Sequence, residues 1–426
     1  MGEVPNQWDA FLDTMTRLEP FVEQNAEADR EAMQAAPESD WAGMGMTTIY
    51  MVPRDGSRTA YKAERHRAVA SLATLGDDGL FAITAELMDI AVAMPPLQNK
   101  PLDFTQHNFA SDARALSRIQ LARMYMAGNN DAERLAALAE LLALSRQIAW
   151  HGSVIDWLVG KAMAQQAAQQ FLLSLLLHPA ADDATLARAD ALIATEAIRR
   201  SPGIDFVLLT TRLMNRDLLD RTHDRDGGFV RSDIAEAALA WNDEASYEEP
   251  YVSRDVLAAW FDELHDSIDD AANATGEHAA DAFAAAKTLA EATPNSPLAA
   301  FATPINLALV EQSSTIELAG ARVVVAIERY RLAHDGTPPP SLDALGELLP
   351  QSLRTDPLTG TPWIYDPTPM TIDVESQPLT EGSTAWPYSL RSAPLPGIEP
   401  ATHLRINPQG GVPITRSIQA PQYDAP

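Results

Sequence analysis

The stretch Ile316 to Tyr365 decides how this chain is read. A helix-period run passes through Glu328-Arg-Tyr-Arg-Leu-Ala-His-Asp-Gly336, then Pro340-Ser-Leu-Asp-Ala-Leu345, Asp356-Pro-Leu-Thr-Gly360 and Trp363-Ile-Tyr365. Val323, Val324, Ile327, Tyr330 and Arg331 fall along one side of a helix. Gly336 supplies a stop that accepts left-handed backbone, and Pro338 to Pro340 prevent continuation. Ser341 then suits the N-cap of a short helix over 342–349.

Upstream, from Trp8 to about Leu332, apolar residues recur at helical spacing, as in Leu116, Ile119, Met124 and again in Leu135, Leu138, Leu142. Turn-forming residues interrupt this pattern at 37–58, 95–104, 128–130, 179–183, 223–228, 243–251 and 293–297, as expected between antiparallel helices. Ala113 to Ile148 reads as one hairpin, with Leu121, Ala122, Tyr125 and Gly128 spaced roughly as in a tetratricopeptide unit. A solenoid needs about three such units to close a core, so the expectation is an irregular array of helical hairpins.

Downstream the period drops to two in Met370-Thr-Ile-Asp-Val374 and His403-Leu-Arg-Ile406, and 17 of the 30 prolines lie between Pro338 and Pro426. Proline at that density excludes long helices and central strands. The fold class is therefore mainly α: an all-helical domain over 1–300, a small α+β module over 301–408 made of a long helix and a short antiparallel sheet, and an irregular tail over 409–426.

Composition narrows the function. Acidic residues outnumber basic ones 59 to 31, for a formal charge of −28, and basic clusters stop at pairs such as Arg199-Arg200. That field repels nucleic acid and anionic lipid and attracts basic partners. There is no cysteine, hence no disulfide, thiolate nucleophile or sulfur-based zinc site. Residues 1–30 have no pattern of a secretory signal, and Val154 to Leu177, with Asp156, Lys161 and four glutamines, is too polar to span a bilayer and reads as a buried helix.

The run Tyr330-Arg-Leu, a Gly-Thr-Pro turn, Ser-Leu-Asp-Ala-Leu345 and Thr355-Asp-Pro-Leu-Thr-Gly-Thr-Pro-Trp-Ile-Tyr365 resembles the soluble part of the major pseudopilin of type II secretion systems, over about 60 residues. There a spine helix leads to a strand of similar composition. The same ending on an alanine-rich helical region, together with Asp112-Ala-Arg-Ala-Leu116 and Ser153-Val-Ile-Asp-Trp-Leu-Val159, is similar to planctomycete-type proteins that commonly carry an N-terminal membrane anchor. The resemblance implies a periplasmic or cell-envelope location and no particular reaction. The chain departs from pseudopilins in having its spine-like helix internal, and in lacking a counterpart to their acidic calcium loop over 384–396.

Candidate chemistry is sparse. Thr222-His-Asp-Arg-Asp-Gly-Gly-Phe-Val-Arg-Ser-Asp233 places Asp224, Asp226 and Asp233 at calcium-loop spacing, yet Thr222 stands where an Asp is needed and Asp233 where a longer Glu is usual. A plain Asx-Gly turn is the competing reading. Asp262, Asp266 and Asp269, with Glu263 and Asp270, line one helix face opposite Val256, Leu257, Trp260 and Phe261; this is the solvated side of an amphipathic helix or a cation site. The nine histidines, among them His107, His151, His178, His223, His265 and His334, form no metal-spaced pair. Trp150 and Trp157 flank His151 and Asp156, and Trp363, Tyr365, Trp386 and Tyr388 gather near the C-terminus as core or as a ligand face.

No nucleophile elbow, phosphate loop or dinucleotide fingerprint is present. The expectation is thus a non-catalytic envelope scaffold that binds protein partners, with no nucleic acid and no cofactor beyond that calcium loop. Two alternatives stand beside it: a hydrolase using helix-borne carboxylates within about 5–10 Å of each other, and a soluble accessory subunit of a pseudopilus-like assembly, which needs an exposed face on the helix over 304–334.

Overall fold

The structure is a computed structural model that describes residues 6–36, 44–50, 58–92, 94, 109–178, 180, 182–224, 226–229, 251–276, 278–296, 298–299, 306–368, 370–371, 385–386, 388–392 and 405–406. The 409–426 tail, Asp233 and His107 lie outside the described residues. The fold is mainly helical. The helices are α1 (Trp8–Ala35), α2 (Thr47–Tyr50), α3 (Arg58–Asp77), α4 (Leu80–Glu86), α5 (Phe109–Met126), α6 (Asp131–Ala149), α7 (Val154–Leu177), α8 (Asp183–Leu192), α9 (Ile204–Thr222), α10 (Arg254–Asn273), α11 (His278–Glu291) and α12 (Asn306–Ala333). A π-helical stretch, Ile193–Arg199, continues α8.

Turn chemistry places the helix starts. Asn130, Ser153 and Asp182 each accept a bond from the backbone N–H three residues on, satisfying one of the orphan donors of α6, α7 and α8. Gly128 turns the α5–α6 hairpin in the left-handed region at φ 56°. From Arg134 to Ala149 every residue of α6 except Ala136 is buried, so α6 is a central helix without a solvent face. α7 lies against it at very short range. A Cβ on Gly160 would stand 2.5 Å from the Ser145 carbonyl oxygen and 2.8 Å from the Ala149 Cβ, so only glycine permits this approach.

The described residues form two apolar cores. The first gathers residues of α1 to α8, most of α12, and Leu345, Leu353, Trp363, Tyr388 and Leu390. The second lies among α9, α10, α11 and the ends of α6, α7 and α12, around Trp157, Leu218, Phe261 and Leu298. α6, α7, α11 and α12 each contribute to both. α7 gives Trp157 to one core and Phe171 to the other, and α12 gives Leu307 and Ala308 to one and Val323 to Ile327 to the other.

α12 departs from the one-sided pattern its sequence suggests. All five residues from Val323 to Ile327 are buried, and between 307 and 331 only Thr315 is exposed. Each fully buried Val or Ile is worth about 1.5–3 kcal/mol, and the enclosure is completed by polar side chains that reach neighbouring helices. Lys161 Nζ lies 3.0 Å from Glu311, Gln169 bonds Glu317 at 3.2 Å, Asp190 accepts Arg322 at 2.6 Å, and Asp183 accepts Arg329 at 2.6 Å.

At its end, Gly336 adopts φ 81° and its N–H bonds the Arg331 carbonyl at 2.8 Å, as the glycine stop requires. Ser341 differs from expectation. The following segment, Leu342–Leu348, is a 3-10 helix kinked at Gly346, and the Ser341 hydroxyl makes no capping bond, because its backbone carbonyl takes the Ala344 N–H instead. Strands β1 (Ile364–Asp366), β4 (Ser389–Arg391) and β5 (Arg405–Ile406) form an antiparallel sheet in the order β1-β4-β5, with Tyr365 opposite Leu390 and Leu390 opposite Ile406. A separate ribbon pairs β2 (Met370–Thr371) with β3 (Ala385–Trp386).

Candidate functional sites

The calcium-spaced loop is built as a turn. Asp224 Oδ1 accepts the N–H groups of Asp226 at 2.9 Å and Gly228 at 2.8 Å, while Gly227 takes φ 81°. That is the local closure expected of an Asx-Gly turn. His223, buried at the end of α9, packs edge-on against Phe229, with Phe229 on Tyr251. The structure brings Asp224 and Asp226 into one turn; Asp233 is not described. No group of three or more His, Asp or Glu side chains among the described residues forms a metal-holding cluster.

The carboxylate row of α10 is engaged with α9. Asp266 pairs with Arg212, and Asp262 stands 3.8 Å from Arg216. Partial burial, then Asp205 and Asp270, raise the Asp269 carboxyl above its ordinary value. Leu257, Trp260 and Phe261 are buried as the period requires, but Val256 is 54% exposed. It lies at the edge of the buried stripe, in the first turn of the helix. His265 lies within that stripe and is fully buried; burial, helped by Arg212, pushes its pKa down to about 4.

Trp150 and Trp157 hold a corner. Their indole N–H groups donate to the carbonyls of Arg200 at 2.9 Å and Pro202 at 3.2 Å. The His151 ring sits among Trp8, Phe11 and Phe109 at centroid distances of 5.3, 4.9 and 5.2 Å, with Asp156 3.9 Å from its Nδ1. Burial raises the Asp156 carboxyl, against the bond it accepts from Ser153. This cluster docks α1 onto the α6–α7 turn.

Trp363 and Tyr388 belong to the first core, and Tyr365 packs against it. Trp363 donates to the Leu353 carbonyl at 2.9 Å, Tyr365 to that of Pro339 at 2.8 Å, and the buried Tyr388 to Glu328 Oε1 at 2.7 Å. Burial raises both tyrosines, and at Tyr388 the Glu328 charge adds to it. The Asp-Pro-Leu-Thr-Gly loop turns on Asp356, which is wholly buried: Oδ1 accepts the N–H of Leu358 at 2.8 Å and of Thr359 at 3.2 Å, and Oδ2 accepts Ser392 beside β4. The Leu358 carbonyl takes the Gly276 N–H between α10 and α11 at 2.8 Å. One loop thereby joins the sheet to the second core.

Sequence reasoning assigned nothing to the buried arginines. Arg134 donates to the carbonyls of Ser174 and His178 at the end of α7 and pairs with Asp131; Arg146 pairs with Glu196 on the π-helical stretch and donates to the Ile90 carbonyl at 2.6 Å. Arg123 reaches Glu133 at 2.5 Å and Glu140 at 2.7 Å and lies over the Phe81 ring. Glu140 also accepts Thr84 and Gln120, yet burial outweighs these bonds and raises its pKa. The available signal was position: Arg134 lies in line with Leu138 and Leu142 on an apolar helix. A second missed group is Asp29 and Glu64, which share Arg67 Nη2 at 2.7 and 2.6 Å, while Glu64 also takes the Gly45 N–H at 3.1 Å.

No protein-family model, no curated protein and no solved structure matches this chain. No single helix among the described residues is long and apolar enough to cross a membrane.

Proposed function

We propose that the protein is a non-catalytic scaffold of the cell envelope that binds other proteins through its helical body and carries a pseudopilin-like module at its C-terminal end. One observation carries this reading: the buried charges of the body are bound to helix ends and to one another. Arg134 closes the end of α7, Arg146 ties the loop at Ile90 to Glu196, and Glu140 is held by three donors. Such groups stiffen a framework. The envelope location rests on the resemblance of the segment over 330–365.

The hydrolase alternative has one specific point in its favour. Asp29 and Glu64 converge on one nitrogen of Arg67, and burial raises Asp29, with Glu64 as a further raising charge. Incubating the whole chain with glycoside, ester and peptide substrates tests both readings. The scaffold predicts no turnover; turnover abolished by Asp29→Asn or Glu64→Gln would replace it with the hydrolase. The accessory-subunit alternative needs an open side on α12, and Thr315 alone is exposed between 307 and 331.

A further inference from the structure

α9 buries Val207, Thr211 and Leu218 against the second core, and on its opposite face it carries Phe206, Leu209 and Leu213 at helical spacing. Leu209 is 56% exposed, Phe206 and Leu213 are partly so, and Trp150 extends the apolar surface by packing on Phe206 at 4.8 Å. α10 runs antiparallel beside this stripe. Arg212 meets Asp266, Arg216 meets Asp262 and Arg254 meets Asp220 along the seam. The arginines are thus already partnered, whereas Asp205, Glu263 and Asp270 remain exposed; Asp255, with 94% of its side chain exposed, stands 3.8 Å from Arg254.

We propose that the Phe206, Leu209 and Leu213 stripe, with the acidic border of α10 beside it, is a docking surface for a basic amphipathic helix of another protein. The proposal rests on the scaffold reading and names the partner chemistry for it. Charge selects this occupant. A second copy would bring its own formal charge of −28 to the face, anionic lipid would be repelled likewise, and the chain's own neighbouring segment 230–250 is itself strongly acidic. A partner helix with apolar residues at matching three- and four-residue spacing fills the stripe, and flanking lysines meet the border. Border charges on such an interface act mainly on encounter rate and salt dependence, while the leucines hold the complex.

The test is fluorescence anisotropy with a labelled helical peptide that has leucines on one face and lysines on the other, added to the full chain. Losing the burial of one leucine from the complex corresponds to at least about a tenfold loss of affinity, about 1.4 kcal/mol. Leu209→Ser combined with Leu213→Ser should therefore weaken binding at least about tenfold with the far-ultraviolet spectrum unchanged, since Leu209 faces solvent. Glu263→Gln with Asp270→Asn should flatten the salt dependence, and Met33→Ser on distant α1 should change nothing. Equal affinity of the leucine variant and the parent overturns the proposal, as does equal binding of a glutamate-for-lysine peptide. So does a dimer in ultracentrifugation that Leu209→Ser dissolves, or adsorption to phosphatidylcholine vesicles that it abolishes. Any of these overturns the surface alone, whereas substrate turnover would overturn the scaffold reading itself.

Discussion

The α6–α7 hairpin and the α9–α10 pair use the same device to opposite ends. Both are antiparallel, and in both, arginines paired with carboxylates reach from one element to another. In the first, Arg134 and Arg146 have no exposed surface and bond main-chain carbonyls as well as acids. In the second, Arg212 and Arg216 lie on the rim, with side chains 29% and 64% exposed. A buried guanidinium has given up water and cannot be left without its partner; an exposed one can. The interior pair therefore specifies how helices meet, and the rim pair leaves a face open for contact with something else.

The sharpest way to break this contrast is to remove one arginine from each. Arg146→Ala leaves Glu196 and the Ile90 carbonyl facing a cavity and should cost about 3–5 kcal/mol in urea unfolding. Arg216→Ala should cost less than about 1 kcal/mol. Similar losses would erase the distinction drawn between the two pairs.

Next comes pH. His265 is neutral in the fold with its pKa at about 4, below the unfolded value near 6.5, so the unfolded chain binds the extra proton. Its contribution is present in full above about pH 6.5 and is lost as pH falls toward 4, on the order of 3 kcal/mol in all. Carboxylates whose folded pKa is raised, such as Glu140 and Asp156, act with the opposite sign: their share is complete below the unfolded carboxyl value and fades as pH rises through the folded one. The difference between parent and His265→Gln across pH 4 to 7 isolates the histidine. A constant difference over that range would contradict its neutral burial.

A third change acts on backbone approach. Gly160→Val drives a side chain into the Ser145 carbonyl, and overpacking of this kind costs about 1–3 kcal/mol. An unchanged midpoint would mean that α6 and α7 separate freely. The smallest effect concerns the loop at Asp224. Because its Oδ1 already closes the turn, added calcium should leave the melting temperature unmoved, and a concentration-dependent rise would make the loop a metal site.

What could be read from the chain alone was whatever local chemistry decides. The helical period over Leu135, Leu138 and Leu142, the stop at Gly336, the turn at Gly128 and the switch to strands around Ile364 depend on neighbours in sequence, and each is present. The mainly helical class followed from them. What escaped depends on which elements meet. The Ser341 hydroxyl lost its capping role to a tight 3-10 turn, Val256 fell outside the buried stripe, and α12 proved to be enclosed on every side because α7 and α8 bring polar partners to its own charged residues. The buried arginines carry no linear signature, since their acceptors at Ile90, Ser174 and Glu196 lie tens of residues away. At the candidate sites the same division holds: the Asx turn at Asp224 was readable, and the convergence of Asp29 and Glu64 on Arg67 was not.

The passage of α12 through both cores sets an order of assembly. Among the described residues it is the last α-helix in chain order, so it is made after the helices it packs against, and each interior has a gap until it arrives. The preceding hairpins must wait with apolar surface uncovered, and the whole molecule closes in one late step, more like a keystone arch than a string of independently settled pieces.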